Sequence, residues 1–563
     1  MRRELGAKIF ITLTALSLLL ASCSLAPASL STDETSESPA VTNETKDSSV
    51  TTEATSETSA AETTLPAGEQ ELIDRYNTFA KNLFDRLIPC GEGDEAAEVL
   101  RSVPGVKMVG KKQFYEDKEY LIFFEQPLDH KDPSRGTFIQ TVYVCFEGKD
   151  APNCFYIDGY DLGFLQMESQ REDDPLLDAM EIPEELIKEI SIGLDCNYIL
   201  PEYRFYGTSA PDQLTKEDSD FWGLMNCEQA SEDFHQIIEA LKKTLGGRFC
   251  IEGCSKGGEA VAYQLAKHPE DGDLFIGQAA MVLLGNGDKD LYEYAYTTAG
   301  DLVYGKKAAK EMRDLITEFQ IECLKNREEL MPYYINHAGF VEAPFSPDLD
   351  YETMFDCQVL DQVYYWQYLF DNYIDGIKEA LSMKDAKTGS ERSSYISKLG
   401  DVLNMGYSSY QYTMYGKGRE FQEKDIYNYM FQCFHEDGHY GYDFSYLRKA
   451  IKKSGTDAKL HVTEEMEKDL WDLRIDPSHR KLFPYDPSVL EARKQAVKNP
   501  SKPLIFINGL TDIYQTHEVK ESDNGNVYIF NIPEACHVDA DLEHLTSEQR
   551  KEFDKLVKKY MSN

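Results

Sequence analysis

Two absences bound this chain before any motif is read. Its 563 residues include twelve cysteines, yet no Cys-x-x-Cys and no regular cysteine spacing. A zinc site or a disulfide framework is therefore not readable. Setting Cys23 aside leaves eleven, an odd number, so at least one thiol stays unbridged even if one or two bridges form. Basic residues are also scarce: 58 Lys and Arg stand against 99 Asp and Glu, a net charge of −41. Nothing forms a basic patch, which disfavours nucleic acid as a partner. Beyond the first two dozen residues, no segment is long and apolar enough to cross a membrane. Residues 24–75 hold no aromatic residue, and Lys46 is the only base there before Arg75.

The first of these poor stretches reads as targeting sequence. Arg2, Arg3 and Lys8 precede an apolar run from Ile9 to Leu20, and Leu20-Ala21-Ser22-Cys23 closes it with small residues. This pattern predicts a lipoprotein signal peptide, cut before Cys23, with the lipid on that cysteine. The expected location is outside the cytoplasm, on a bacterial membrane. The Ser/Thr/Glu-rich residues 24–71 cannot bury enough apolar surface to order themselves. They predict an extended tether.

From Leu72 the composition supports a large core. The expected division is a catalytic α/β domain over 72–285 and 500–563, with a helical cap over 286–499. Leu72 to Leu87 has helical periodicity. Strands are expected at Tyr120 to His130, Gly136 to Phe146, Cys154 to Ile157 and Cys196 to Leu200. A helix from Glu228 to Thr244 then precedes an apolar, β-prone run that starts at Arg248 and ends in Gly-x-Ser-x-Gly, and Phe275 to Leu284 reads as a further strand. Strands alternating with helices predict a parallel sheet. The cap pattern is helical, as in Ala308 to Lys325 and Val359 to Met383. Strands resume at Pro503 to Gly509 and Asn526 to Ile532, and an amphipathic helix, Ser547 to Met561, closes the chain.

The chemistry centres on Gly253-Cys254-Ser255-Lys256-Gly257, an apolar strand's end followed directly by a helix-forming run. This is the context of a nucleophile elbow, in which Ser255 is lifted clear of the sheet on a strained turn. A Cβ at position 253 or 257 would collide with the neighbouring strand or helix. A serine needs a base, and the base needs an acid to orient it. In a hydrolase sheet these follow in the order Ser, acid, His, each just after a strand. Asp512 follows the strand ending at Ile507, and His537 follows the strand ending at Ile532. His517, His544, Asp523 and Asp539 fit these places less well. The backbone N–H groups of Lys256 and of Tyr160, in the loop after the third strand, are the expected oxyanion donors. The Lys256 side chain is expected at the surface or on the cap, Glu202 and Arg204 as an ion pair or hydrogen-bond network, and Cys254 and Cys536 as small buried thiols.

At these residues the chain resembles secreted serine peptidases of the prolyl-oligopeptidase clan. Phe124-Glu125-Gln126-Pro127-Leu128-Asp129-His130 and Gly136-Thr137-Phe138-Ile139-Gln140 look like the entry motif shared with prolyl carboxypeptidase and dipeptidyl peptidase II. Glu202-Tyr203-Arg204-Phe205-Tyr206-Gly207-Thr208-Ser209 is similar to their Glu-His-Arg-Tyr-Tyr-Gly-x-Ser, with Tyr203 in place of His. Lys256 after the serine is closer to actinomycete tripeptidyl aminopeptidases of the PS-10 type. The resemblance implies an α/β-hydrolase fold and a Ser255–Asp512–His537 triad. The activity it implies is release of short peptides, tripeptides foremost, from peptide N-termini. Glu202 and Asp158 are the expected anchors for the substrate amine. No metal and no organic cofactor is implied. An esterase on the same fold and a catalytically silent surface binding lipoprotein are the alternatives.

Overall fold

The computed structural model describes residues 87–90, 93–112, 118–162, 190–211, 219–338, 350–367, 371–405 and 427–562. Cys23, the tether and the helix expected at Leu72 to Leu87 lie outside the described residues, except that Leu87 opens the first strand.

Among the described residues ten strands form one sheet. They are β1 (Leu87–Pro89), β2 (Val106–Lys112), β3 (Glu119–Pro127), β4 (Thr137–Cys145), β5 (Asn153–Ile157), β6 (Asn197–Pro201), β7 (Phe249–Cys254), β8 (Leu274–Gln278) and, after a two-strand ribbon of β9 (Asn286–Asp288) and β10 (His439–Tyr440), β11 (Leu504–Gly509) and β12 (Val527–Ile532). The order across the sheet is β1-β2-β3-β4-β6-β5-β7-β8-β11-β12. Pairing is antiparallel from β1 to β6 and parallel from β6 to β12. Counted from β3, only the second strand is reversed and the third and fourth are exchanged. This is the α/β-hydrolase sheet.

The strands form because their runs are β-branched, aromatic and continuous, as strands covered on both faces must be. Alternate residues feed two cores. Phe155, Ile251 and Phe506 face helices α1 (Cys227–Lys242) and α2 (Lys256–Lys267), which present Phe234, Ile237, Val261 and Leu265. Tyr156, Cys250, Ile505 and Phe530 face the other way, against Phe553, Leu556 and Met561 of the C-terminal helix Ser547–Met561.

Between β8 and β11 the chain is mostly helical, including Lys306–Lys325, Arg327–Ala338 and Gly389–Met405. The single helix expected at Val359 to Met383 is not there. Tyr351–Leu360 ends, a tight 3₁₀ segment runs through Asp361–Gln367, and Asp371–Ser382 starts anew. A buried hydrogen bond from Tyr292 Oη to Asp361 Oδ1 (2.8 Å) marks the break, a tertiary contact that local periodicity does not report. The strand expected at Phe275 to Leu284 stops at Gln278 because Ala279 turns to φ 44°. Two edge strands, β1 and β2, were not expected; the Gly and Lys residues of β2 hide its alternation. All cysteines from Cys90 to Cys536 are unbridged.

Candidate active site

Ser255 is the single residue between β7 and α2, with φ 53° and ψ −120°. That conformation costs a non-glycine residue free energy, and here the surrounding backbone imposes it. The Ser255 N–H donates to the Gln278 carbonyl (2.8 Å), and the Glu259 N–H to the Ser255 carbonyl (3.1 Å). The flanking glycines are obligatory. A Cβ on Gly253 would stand 2.6 Å from the Gly257 backbone, and one on Gly257 would stand 1.8 Å from the Ile157 carbonyl oxygen.

The acid and base loops are tied to each other. Thr511 donates to the Ala535 carbonyl through its N–H (3.0 Å) and its hydroxyl (2.7 Å). A Cβ on Gly509 would lie 2.6 Å from that same oxygen. This contact brings Asp512 and His537 to the Ser255 side of the sheet. His537 Nε2 lies 3.0 Å from Ser255 Oγ, and Nδ1 lies 2.7 Å from Asp512 Oδ2. Asp512 is buried, while Ser255 and His537 are partly open. The Tyr514 N–H donates to the other Asp512 oxygen at 2.7 Å. Behind Asp512 lies Glu518, whose carboxyl is pushed well above its usual range by burial and the Asp512 charge. In this arrangement His537 can take the hydroxyl proton while Asp512 holds the ring.

The other histidines and acids considered are placed elsewhere. His517 Nε2 lies 3.0 Å from Asp288, and His544 is bound to Asp541 at 2.9 Å, which raises its pKa to about 9. Asp523 is exposed, and Asp539 accepts from the Cys536 thiol at 3.1 Å. Cys254 and Cys536 are both buried.

The loop after β5 passes over the start of α2. Gly159, at φ 92°, leaves room for that approach: a Cβ there would be 2.9 Å from Gly257 N. As the first residue of a helix, Lys256 has an N–H without an acceptor one turn back. One expectation fails nearby and another is narrowed. The Lys256 side chain is not on the surface or the cap; it is buried, and Nζ donates to the Gly159 carbonyl at 2.6 Å. Glu202 and Arg204 do not form an ion pair with each other; each sits in a buried hydrogen-bond network, the other arrangement expected. Arg204 meets Asp233 of α1 through Nε (2.7 Å) and Nη2 (3.1 Å), and its remaining donors go to the Pro127, Leu128 and Leu224 carbonyls.

Glu202 is also no free anchor for a substrate amine. It is wholly buried, and its oxygens accept from the Ser209 hydroxyl (2.7 Å), the Thr208 hydroxyl (2.5 Å) and the Thr208 N–H (3.2 Å). Burial raises its pKa to about 7 despite those bonds. Asp158 is half-buried, and its pKa is raised to about 7 by burial against the pull of Lys256.

A cavity opens beside this set. Met281, Tyr429, Tyr440, Trp471 and Tyr514 give it an apolar, aromatic wall, and Asp437 and Lys256 are among its polar groups. Sequence reasoning missed this wall because most of it comes from the cap, where no motif marks it. For Tyr514 a signal existed: it lies two residues past Asp512, in the same loop. Among the described residues, His235, His268 and Glu270 have potential ligand atoms within 4.8 Å of one another. The two imidazoles are stacked at 4.0 Å and 14°, so their in-plane lone pairs run side by side rather than converging on one ion.

Residues 93–445 match the family model of PS-10 peptidase S37. The chain belongs to that family. It is a serine hydrolase of the peptidase class, with an α/β-hydrolase fold. The match ends before Asp512 and His537, which enter through the geometry above. The chain is also 27% identical over 287 residues to the prolyl tri/tetrapeptidyl aminopeptidase of Streptomyces mobaraensis, covering 50% of this chain and 52% of that one. It thus spans about half the length of this curated relative. Solved structures include proline iminopeptidase of Mycobacterium smegmatis (TM-score 0.31, 11% identity, covering 78% of this chain and 97% of that one). A haloalkane dehalogenase of Bradyrhizobium elkanii gives a TM-score of 0.29 at 9% identity, covering 78% of this chain and 96% of that one. The fold assignment rests on strand order, not on these scores.

Proposed function

We propose that this S37 peptidase is a serine exopeptidase that releases short peptides, tripeptides foremost, from peptide N-termini. Ser255 is the nucleophile, His537 the general base and then acid, and Asp512 the orienting carboxylate. The observation that carries this reading is the chain of contacts Ser255 Oγ–His537 Nε2 (3.0 Å) and His537 Nδ1–Asp512 Oδ2 (2.7 Å) at a strained elbow. Asp512 accepts a hydrogen bond from the Nδ1–H, which leaves the Nε2 lone pair facing the serine hydroxyl. As His537 takes that proton, Ser255 Oγ attacks the scissile carbonyl carbon. The oxygen, now negative, is received by the N–H groups of Lys256 and Tyr160. Collapse expels the amine, which takes the proton from His537, and water releases the acyl group by the same steps in reverse.

The name of the Streptomyces relative supports the tri- and tetrapeptide length and a prolyl preference. An aromatic wall beside the serine suits a proline ring, which packs against aromatic faces. The pattern ending at Cys23 supports a lipid-anchored, extracytoplasmic enzyme. Among the described residues no helix is long and apolar enough to cross a membrane.

A fluorophosphonate probe tests the nucleophile. Labelling should fall on Ser255 and vanish in Ser255→Ala. Mass spectrometry of products from unmodified peptides should show tripeptides leaving in sequence from the N-terminus. Absence of labelling, or cuts in mid-chain, would overturn the reading. For the anchor, Cys23→Ala should move the protein out of the membrane fraction; unchanged membrane partitioning would remove that part.

A further inference from the structure

We infer that the Lys256 side chain is a positioning residue for oxyanion binding: it holds the Gly159 carbonyl so that the Tyr160 N–H of the same peptide unit points at the carbonyl under attack. This rests on the reading in which Tyr160 N–H is an oxyanion donor. A trans peptide is planar, so its C=O and the following N–H point in opposite directions. Whatever fixes the Gly159 oxygen therefore fixes the Tyr160 N–H.

Lys256 Nζ fixes that oxygen at 2.6 Å. Its own position is in turn over-determined. Nζ sits 3.8 Å from the centre of the Tyr203 ring, 5.3 Å from Tyr160 and 5.4 Å from Tyr206. A cation over several aromatic faces is held electrostatically as well as sterically. The next peptide of the loop is pinned separately, because the Tyr203 N–H donates to the Tyr160 carbonyl at 2.8 Å. The loop cannot simply back away from Lys256 either, since Gly159 packs against the start of α2 with no room for a side chain. Both oxyanion donors then depend on one residue: Lys256 supplies the first through its backbone and aims the second through its side chain. Tyr203, which stands where the related peptidases have His, forms the face on which this lysine rests.

The test compares wild type with Lys256→Met, which keeps an unbranched side chain one atom shorter and removes the donor. Four quantities are read: kcat and KM for an unblocked peptide, the Ki of a peptide boronic acid with a free N-terminus, and the Kd of intact peptide on the Ser255→Ala background with and without Lys256→Met. Losing an oxyanion donor outright costs about 10²–10³ in kcat, and a misaimed donor costs less. We expect kcat to fall about 10- to 100-fold and the boronate Ki to rise by the same factor. KM and peptide Kd should stay within about twofold, because the carbonyl oxygen carries little charge in the ground state. A purely structural lysine would not move kcat and boronate affinity in step while sparing ground-state binding. Unchanged kcat and Ki, or a matching loss of peptide Kd, would overturn the inference. If Lys256→Met does not fold, Lys256→Gln takes the same measurements, and its amide, which can still donate to Gly159, should recover part of both quantities. A wild-type enzyme that neither labels at Ser255 nor responds to the boronate would instead sink the functional reading itself.

Discussion

The Tyr514 ring meets the His537 imidazole edge to face, with centroids 5.1 Å apart and planes at 65°. The same residue donates its N–H to Asp512, so Tyr514 braces both the base and its acid. A hydrogen bond to Asp512 alone leaves the imidazole free to tilt about that bond, and the ring edge limits the tilt. Tyr514→Ala should therefore lower kcat about 10- to 100-fold, the range expected when a reacting group is displaced by about 1 Å. Tyr514→Phe keeps the ring and should stay within about threefold of wild type. Steady-state kinetics on one peptide decides it; equal losses in the two variants would assign the effect to the hydroxyl.

Arg204 and Asp233, outside the triad, predict a large stability effect. Arg204 is fully buried with its five donors engaged, and Asp233 also meets His130 Nε2 at 2.7 Å. Asp233→Ala would leave a buried guanidinium without its counter-charge, a change worth about 3–5 kcal/mol of destabilisation. The double variant Arg204→Met/Asp233→Leu removes both charges and should be less destabilised than Asp233→Ala. Urea unfolding of the three proteins tests this; an Asp233→Ala variant as stable as wild type would show that the pair contributes little.

That pair also shows how far the sequence could be read. The stretch Phe124 to His130 and the stretch Glu202 to Ser209 carry the family resemblance, and the structure joins them through Arg204, Asp233 and a second line, Gln126 to Gln140 (2.9 Å) and Gln140 to the Glu202 carbonyl (2.7 Å). They are scaffolding under the site. Their residues were legible, but their partners were not, because Asp233 sits on a helix whose facing is set by tertiary packing. The strand ends holding Ser255, Asp512 and His537 were legible since each follows an apolar run of strand length. Lys256 was misread because its position after the serine says nothing of three tyrosines brought from two other loops. Broken helices such as 359–383 hide for the same reason: the contact that interrupts them is remote in sequence.

The three residues of the proposed triad should behave as one unit. Ser255→Ala, His537→Ala and Asp512→Asn should each reduce kcat by about 10⁴-fold or more, and double variants should be hardly worse than singles. Asp512→Asn is the most informative, since it keeps the shape and alters which His537 nitrogen carries the proton. Near-normal turnover in that variant would move the acid role elsewhere, with Glu518 the first residue to examine.

Stability should fall as pH rises from about 5 to 8. Glu252, on β7, is fully buried; it accepts from the Cys154 thiol and the Gln278 amide, and burial raises its pKa from 4.5 to about 8. Between those values the unfolded chain has lost the proton while the folded chain keeps it. The unfolded state then binds fewer protons, so each step up in pH favours unfolding. The contribution is whole below about pH 4.5 and is lost as pH passes 8. Tm should be lower at pH 8 than at pH 5, and Glu252→Gln, which cannot ionise, should narrow that difference. An identical pH dependence in the variant would show that Glu252 is not among the groups responsible.

An enzyme that counts three residues from a terminus must hold the terminal amine. In an extended substrate that amine lies about 10 Å from the scissile carbonyl. The cavity beside the site is lined by Tyr514, which meets His537, and by Asp437. Asp437 is buried; its Oδ1 accepts from the Cys227 thiol at 3.3 Å and lies 3.8 Å from Arg493 Nη1, and Oδ2 has no hydrogen-bond partner among the described residues. Glu202, by contrast, has its oxygens engaged within its own loop. Burying an ammonium group is costly unless it meets such an acceptor. Breaking a buried amine–carboxylate contact should cost about 2–5 kcal/mol, so N-acetylation of a peptide should lower kcat/KM about 30-fold or more. Asp437→Asn should impose a similar loss on the free peptide and little further loss on the acetylated one, because both changes remove the same contact. Equal rates for free and acetylated peptides in wild type would mean that the enzyme does not measure from the N-terminus. Additive losses from acetylation and Asp437→Asn would place the amine on another carboxylate, with Asp158 next in line.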